Sequence, residues 1–314
     1  MPPTIKRPLS PTTPLGTPAE PPLSLHRAKK LKLLASHSLQ SPFPEFPHPT
    51  PAEATQVHAL LAATHPDLAS RPRRPSAAND SARTCGSVPD VLESLIGTIL
   101  SQNTSARNST AAKRGLDAAF GRGNFAAIAR APRADVVDAI KTGGLANKKA
   151  AVIQNILQEV HQKHGVYSLQ HLAAVADEDV EGKAKASSKV SNEEVMQELV
   201  SYNGVGPKTA SCVLLFCLGR ASFPVDTHVF RLSRLLGWVP QKADRVTAQA
   251  HLDLTIPDEL KYGLHRRKRE NELRVEKWLM EQRASKEEEL EAKLQDVIRD
   301  DELTSASFSM KGED

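Results

Sequence analysis

The sequence predicts an all-α protein, and three observations support this prediction. Apolar residues recur at helical spacing through most of residues 53–265. Within that region, we find no sustained alternation of apolar and polar residues of the kind that marks a half-buried strand. Proline, glycine and capping residues stand where helices typically start and end. Between residues 101 and 191, these patterns predict helices at 106–120, 125–129, 133–141 and 147–163.

Residues 1–50 form the first segment, and they hold 12 of the 22 prolines but little that could build a core. This composition is typical of a disordered tail. A basic cluster at residues 26–32 lies inside it. The cluster predicts a nuclear localisation signal and therefore a nuclear protein. The other interpretation is a basic tail that adds only loose affinity for DNA.

Two predicted helices follow, at residues 53–65 and 89–100. In the second, apolar side chains share one face, so we expect an amphipathic helix. It runs into a polar and poorly helical segment that contains Gln102. Gln102 is therefore expected in a surface loop, where it could simply cap the helix end.

Residues 142–150 contain two glycines followed by Leu145, which places an apolar side chain on a turn. Leu145 either projects from this turn or packs into the core as a helix staple. Lys148 and Lys149 could reach phosphates from the next helix, although a solvated helix face is the other interpretation. Further on, residues 177–192 are small, charged and without periodicity, which predicts a flexible insertion.

A capping box from Ser191 to Glu194 predicts the start of a helix at 192–201. A tight turn follows, Gly204-Val205-Gly206, and leads into Pro207 and Lys208. Proline suits the first position of a helix, so Lys208 lies at a helix N-terminus. The apolar run that follows ends at Gly219 and predicts a buried helix.

The chain length allows Asp226 to return beside Lys208. The eleven residues from Thr209 to Gly219 rise roughly 17 Å as a helix. The six residues 220–225 can span about 20 Å when extended. Asp226 is also a suitable N-cap for a helix at 227–236. Backbone N–H groups and the helix dipole then favour its charged form.

This arrangement places one amine and one carboxylate beside a turn whose N–H groups point outward. Such a turn can hold a phosphate through its backbone. A lysine held beside a phosphodiester could attack a sugar carbon as a nucleophile. His228 could act as an acid or base, or it could make a structural hydrogen bond at the helix start. Arg231 could contact phosphate or an internal carboxylate.

Residues 202–210, YNGVGPKTA, and residues 225–231, VDTHVFR, resemble a known signature. It is the helix-hairpin-helix plus Gly/Pro-Asp signature of base-excision DNA glycosylases, and the endonuclease III branch is the most similar. The 18-residue spacing from Lys208 to Asp226 matches that family. The resemblance covers roughly residues 53–265. It implies two helical lobes, with the hairpin and the Lys208–Asp226 pair at the cleft between them.

The resemblance also implies which residues contact DNA. The hairpin contributes Gly204, Val205, Gly206 and Thr209. Gln102 matches the family's wedge, which enters the gap left by a flipped base, and Leu145 matches a second intercalating residue. The expected partner is double-stranded DNA with a damaged base or an abasic site. We expect the protein to bind it as a monomer and to have no membrane partner.

The implied activity is that of a bifunctional DNA glycosylase and abasic-site (AP) lyase, with Lys208 and Asp226 as catalytic residues. Lys208 would attack C1′ of the sugar, and strand cleavage would follow by β-elimination. Oxidised pyrimidines are the expected substrates. Other bases, such as 8-oxoguanine or 5-methylcytosine, remain an alternative, as does a DNA-binding module that has lost catalysis.

The three cysteines have no metal-site spacing, and the net charge of +4 permits nucleic-acid binding without requiring it. The endonuclease III branch usually ends in four cysteines that hold an iron–sulfur cluster. No cysteine follows Cys217 in this sequence, so we expect no cluster, no metal and no other cofactor. The predicted domains are a tail at 1–50, a glycosylase domain at 51–265 and a charged tail at 266–314.

Overall fold

A computed structural model describes residues 40–64, 81–83, 86–173, 190–265, 277–278 and 280–281. The basic cluster at 26–32 and Cys85 lie outside the described residues. So do most of the insertion at 177–192 and nearly all of the tail at 266–314. Predictions made for these segments therefore stay predictions.

All regular secondary structure in the described residues is helical, with no β-strand among them, which confirms the predicted fold class. Two short 3₁₀ helices, Lys141–Gly143 and Gln170–Ala173, join longer ones. The α-helices are α1 (Pro51–Thr64), α2 (Val91–Leu100), α3 (Ala106–Phe120), α4 (Phe125–Arg130), α5 (Arg133–Ile140), α6 (Ala146–His164), α7 (Asn192–Ser201), α8 (Pro207–Cys212), α9 (Thr227–Leu235), α10 (Arg245–Thr255) and α11 (Asp258–His265). Among the described residues, no helix is long and apolar enough to cross a membrane.

Side-chain caps explain where several helices begin. Asp90 accepts a hydrogen bond from the N–H of Glu93 at 2.7 Å and starts α2. The predicted capping box is present at α7: Ser191 accepts from the N–H of Glu194, whose carboxylate accepts from the N–H of Ser191 at 2.7 Å. These bonds satisfy N–H groups that have no partner inside the helix.

The first apolar core is built around α2, which packs against α3, α6, α8 and the second 3₁₀ helix. The predicted helix is present, and all ten of its residues are buried, so its polar side is covered as well as its apolar face. On the polar side, Glu93 pairs with Lys113 at 3.0 Å and with Arg122 at 2.9 Å. Paired charges can be buried at a tolerable cost, whereas periodicity alone indicates only the apolar face.

A second apolar core joins α1, α9, α10 and α11 with the loop residues Phe223 and Val225. A small cluster of Cys212, Leu215, Phe216 and Tyr262 lies apart from both cores and joins the end of α8 to α11. The two cores form two helical lobes, as predicted, and α8 runs from one toward the other.

The helix that begins at α8 changes its hydrogen-bond pattern after Cys212. Residues 213–217 are π-helical, and the N–H of Leu218 donates to the carbonyl of Val213 at 3.0 Å. Gly219 follows with φ +62° and ends the helix, as expected. Such wider turns occur often at functional sites.

Candidate active site

A groove of about 930 Å³ contains both predicted catalytic residues, Lys208 and Asp226. Its other walls come from the loop after α2, the hairpin turn and the start of α10. The described residues that line it include Ser101, Gln102, Asn103, Thr104, Gly206, Pro207, Thr209, Phe216, Val225, Thr227, His228, Arg245, Val246, Gln249 and His265. The structure therefore brings together two residues that are 18 positions apart in the sequence.

Lys208 is placed by the start of α8. Gly206 is the N-cap and Pro207 the first helical residue, so Lys208 is the second. Its side chain is half-buried on the groove wall. The predicted position at a helix N-terminus is confirmed.

Asp226 is held by the backbone of α9. Its Oδ1 accepts hydrogen bonds from the N–H groups of His228 at 3.0 Å and Val229 at 2.9 Å. This confirms the predicted N-cap. Two N–H donors and the helix N-terminus stabilise a carboxylate in its ionised form.

The loop before Asp226 is anchored on α10. The N–H of Phe223 donates to Asp253 at 2.6 Å, and the N–H of Val225 donates to Oε1 of Gln249 at 3.2 Å. These bonds hold the extended segment that returns the chain from the end of the π-helical turn. Asp226 is thus positioned by its own helix and by a neighbouring one.

The hairpin turn packs closely against α6. Gly204 has φ +85°, and a Cβ added there would lie 2.6 Å from Cγ1 of Val152. Val205 is fully buried, and its N–H donates to the carbonyl of Tyr202 at 3.2 Å. The side chain and the N–H of Val205 are thus both engaged within the protein. Gly206 is therefore the turn residue that lines the groove.

Gln102 reaches the hairpin with its side chain. Its Nε2 donates a hydrogen bond to Oγ1 of Thr209 at 3.1 Å. The end of α2 is closed instead by the backbone, since the N–H of Gln102 donates to the carbonyl of Ile99. The side chain is half-buried at the groove, so capping does not account for it.

Leu145 projects from its turn with 54% of its surface exposed. The interpretation that it packs into the core is therefore wrong. Its φ of +52° is a left-handed conformation that a leucine adopts only at a cost. Lys148 is exposed as well, whereas Lys149 is buried and donates to carbonyl groups. The expectation that Lys149 reaches phosphate is wrong, because its side chain lies on the face of α6 that is buried in the protein.

Several groove residues were not singled out from the sequence, among them Phe216, Arg245, Gln249 and His265. Phe216 lies in the π-helical turn, which no local pattern predicted. His228 lines the groove and is exposed, while Arg231 is exposed but is not a lining residue.

The cysteines do not fit the iron–sulfur cluster that the resemblance would imply. Cys212 and Cys217 are buried in the apolar interior, Cys212 beside Leu215 and Phe216 and Cys217 in the first core. Four thiolates are needed for such a cluster, and the sequence contains three cysteines in all.

Comparison with known proteins agrees with this geometry. Residues 96–257 match the model of the HhH-GPD superfamily of base excision DNA repair proteins. A putative DNA glycosylase of Arabidopsis thaliana is 37% identical over 241 residues, which cover 72% of this chain and 76% of that protein. The DNA glycosylase/AP lyase ROS1 of the same plant is 35% identical over 129 residues, 41% of this chain but 8% of that protein.

A solved structure shares the fold. It is a trapped covalent intermediate of endonuclease III with DNA, and it matches with a TM-score of 0.50 and 21% identity. The match covers 69% of this chain and 83% of that one. Endonuclease III of Thermotoga maritima is 30% identical over 171 residues, which cover 54% of this chain and 68% of that protein. The chain therefore belongs to the HhH-GPD superfamily of base excision DNA repair proteins and is endonuclease III-like within it.

Proposed function

We propose that this protein is a DNA N-glycosylase with an associated AP lyase activity. The observation that carries the proposal is the placement of Lys208 and Asp226, each at a helix N-terminus, on one groove. The named lyase activity of the relative ROS1 supports the second half of the proposal. No cofactor takes part in the proposed chemistry.

The mechanism begins with a damaged nucleotide flipped out of double-stranded DNA into the groove. The neutral amine of Lys208 attacks C1′, and the bond from C1′ to the base breaks with its electron pair leaving on the base, which takes up a proton. Asp226 stabilises the positive charge that develops on the sugar. The amine loses its extra proton as the covalent adduct forms.

Strand cleavage follows from the same adduct. The sugar ring opens, and the nitrogen of Lys208 forms an imine with C1′. Loss of a proton from C2′ then expels the 3′ phosphate with the electron pair of the C3′–O bond, which is a β-elimination. Water finally hydrolyses the imine and releases the lysine.

DNA contacts are assigned to the rim of the groove. Gly206 and Thr209 belong to a hairpin whose helix N-terminus faces it, a suitable site for a phosphate. Lys148 is an exposed cation on α6. Gln102 and Leu145 are assigned to the space that the flipped base leaves, because one is a groove amide and the other an exposed apolar side chain.

Oxidised pyrimidines are the substrates that we propose, with 8-oxoguanine and 5-methylcytosine as the alternatives. We also propose a nuclear, monomeric enzyme. A panel of duplexes, each with one lesion, separates the substrates when release of the free base is measured.

Borohydride trapping tests the chemistry. Wild-type protein mixed with an abasic-site duplex and borohydride should give a covalent adduct, because reduction fixes the imine. Lys208→Gln should abolish the adduct. Lys163→Gln should keep it, because Lys163 lies in the last turn of α6 and does not line the groove. If the wild type binds the duplex but gives no adduct, the lyase proposal fails. Release of free base from the lesion duplexes then separates a purely hydrolytic glycosylase from a binding module.

A further inference from the structure

The strongest feature outside the proposed chemistry is the buried amine of Lys149. Its side chain is 3% exposed, and Nζ donates hydrogen bonds to the carbonyl oxygens of Leu100 at 2.8 Å and Gly143 at 2.9 Å. Burial lowers the pKa of Lys149. A lysine is rarely buried without a specific purpose, because removing its charge from water is costly.

The two carbonyls have equivalent positions in two different loops. Leu100 ends α2 and stands two residues before Gln102, while Gly143 ends a 3₁₀ helix and stands two residues before Leu145. One nitrogen therefore ties together the roots of both loops that we assign to the DNA stack. The two loops are far apart in the sequence, since Leu100 and Gly143 are 43 positions apart.

An ammonium group suits this position. Both acceptors are carbonyls at helix ends, where the last C=O groups lack partners inside the helix and the dipole is negative. A cation with several donors can satisfy both at once. The approach is close: a Cβ at Gly143 would lie 2.9 Å from Cβ of Ala112, so the turn sits directly on α3.

The same helix also supports the hairpin. One turn beyond Lys149, the side chain of Val152 packs against Gly204. The first turns of α6 thus contact three elements: the end of α2, the Gly143–Leu145 turn and the hairpin. A rigid connection among them would keep their relative spacing constant when DNA binds.

We propose that Lys149 is a positioning residue that couples the two loops, so that Gln102 and Leu145 enter the duplex together when a base is flipped. This inference rests on the proposed function, because it assigns a task to residues that act on DNA. Lys149 itself touches neither DNA nor the reacting atoms. Its loss should impair base flipping and leave the reaction of Lys208 with an accessible sugar unchanged.

The experiment compares two substrates for one set of variants. Duplex DNA with a damaged base requires flipping, whereas a single-stranded abasic oligonucleotide presents C1′ without it. Lys149→Met removes the donors at similar length. Excision from the duplex should fall roughly 10- to 100-fold, as expected when charged hydrogen bonds that hold a loop are lost. Cleavage of the single strand should stay within about twofold of the wild type.

A fluorescent readout follows the flipped state directly. In a Lys208→Gln background, which prevents chemistry, a 2-aminopurine beside the lesion should brighten when the neighbouring base leaves the stack. Adding Lys149→Met should reduce this signal at saturating protein. The matched control is Lys148→Met at the exposed neighbouring position. This substitution should change the affinity for the duplex without lowering the 2-aminopurine fluorescence at saturating protein.

The outcomes separate the inference from the function on which it rests. A wild type inactive on both substrates would overturn the proposed function. A wild type active on both, with Lys149→Met unchanged on the duplex or equally impaired on both substrates, would overturn the coupling role. If Lys149→Met does not fold, Lys149→Arg replaces it, because arginine keeps the cation but reaches a different distance. Lys149→Arg should show a smaller loss of activity that is again confined to the duplex substrate. If no such loss is found, the proposal is overturned.

Discussion

Gln102 and Thr209 are joined by a hydrogen bond of 3.1 Å across 107 positions of sequence. The bond ties the loop after α2 to the first turn of α8, and Thr209 directly follows Lys208. The amide assigned to the DNA stack and the amine assigned to the sugar therefore belong to one connected framework.

Thr209→Val removes the acceptor for Gln102 and keeps a similar shape. A neutral hydrogen bond contributes about 0.5–1.5 kcal/mol, so single-turnover excision from duplex DNA should fall roughly 2- to 10-fold. Thr209→Ser retains the hydroxyl and should remain close to the wild type. Equal rates for the valine and serine variants would show that this bond does not position Gln102.

Asp226 caps α9 and is proposed to act in the chemistry, and two substitutions can separate these two roles. Asparagine caps a helix as well as aspartate, so Asp226→Asn should change the free energy of unfolding by less than about 0.5 kcal/mol. Asp226→Ala should cost about 1 kcal/mol. Excision should fall at least about 100-fold in both, because the charge is lost. Denaturant titration and single-turnover kinetics measure the two effects, and an active Asn variant contradicts the assigned role.

Leu145→Asn should stabilise the protein and impair its activity. Asparagine adopts a left-handed backbone more readily than leucine, and little apolar burial is lost at 54% exposure. We expect the free energy of unfolding to rise by up to about 1 kcal/mol. Excision from duplex DNA should fall roughly tenfold, since the side chain that we assign to the DNA stack is gone. A loss of stability above about 2 kcal/mol would instead indicate a core residue.

Two glycines of the hairpin should respond differently to alanine. At Gly204, the positive φ and the 2.6 Å approach to Val152 both oppose a Cβ, so the cost should reach about 2–4 kcal/mol. At Gly206, a Cβ meets nothing within 4 Å, and loss of stability should stay near 1 kcal/mol. Thermal unfolding measures both.

DNA affinity gives the second readout for the same pair. A methyl group at Gly206 stands on the groove wall where a phosphate would approach the helix N-terminus, so Gly206→Ala should weaken duplex binding while the protein stays folded. Unchanged binding by a folded Gly206→Ala protein would place the phosphate elsewhere.

Glu198 predicts a pH dependence of stability. Burial would raise its pKa, but the His171 hydrogen bond, the Lys163 charge at 3.3 Å and the Tyr202 hydroxyl at 3.0 Å together lower it. His164 adds a contact at 2.8 Å. A carboxyl with a lowered folded-state pKa stabilises the protein above its unfolded value, about 4.3, and loses this contribution as the pH falls through the folded value.

Glu198→Gln measures this contribution. The difference in melting temperature between wild type and variant should be full above about pH 5.5 and shrink below about pH 4. A difference that stays constant to about pH 3 would show that the carboxylate charge is not its source.

Several features follow from the sequence alone because their causes are local. Helix α3 runs from Ala106 to Phe120, as its periodicity predicted, and Ser191 and Asp226 cap the helices they were expected to cap. The return of Asp226 to the groove of Lys208 follows from chain length and helix rise. Helix caps, turns and hydrophobic periodicity depend on neighbours within a few residues, so the sequence alone is enough to predict them.

Burial was decided by the tertiary structure. Lys148 and Lys149 are identical side chains in adjacent positions, yet one is exposed and the other is bound to two carbonyls. The full burial of α2 and the π-helical turn at 213–217 were likewise absent from local patterns, and the exposure of Leu145 was one of two alternatives that those patterns left open. Each depends on what distant segments pack against it, and a periodic sequence indicates a face without saying which neighbours will cover the rest.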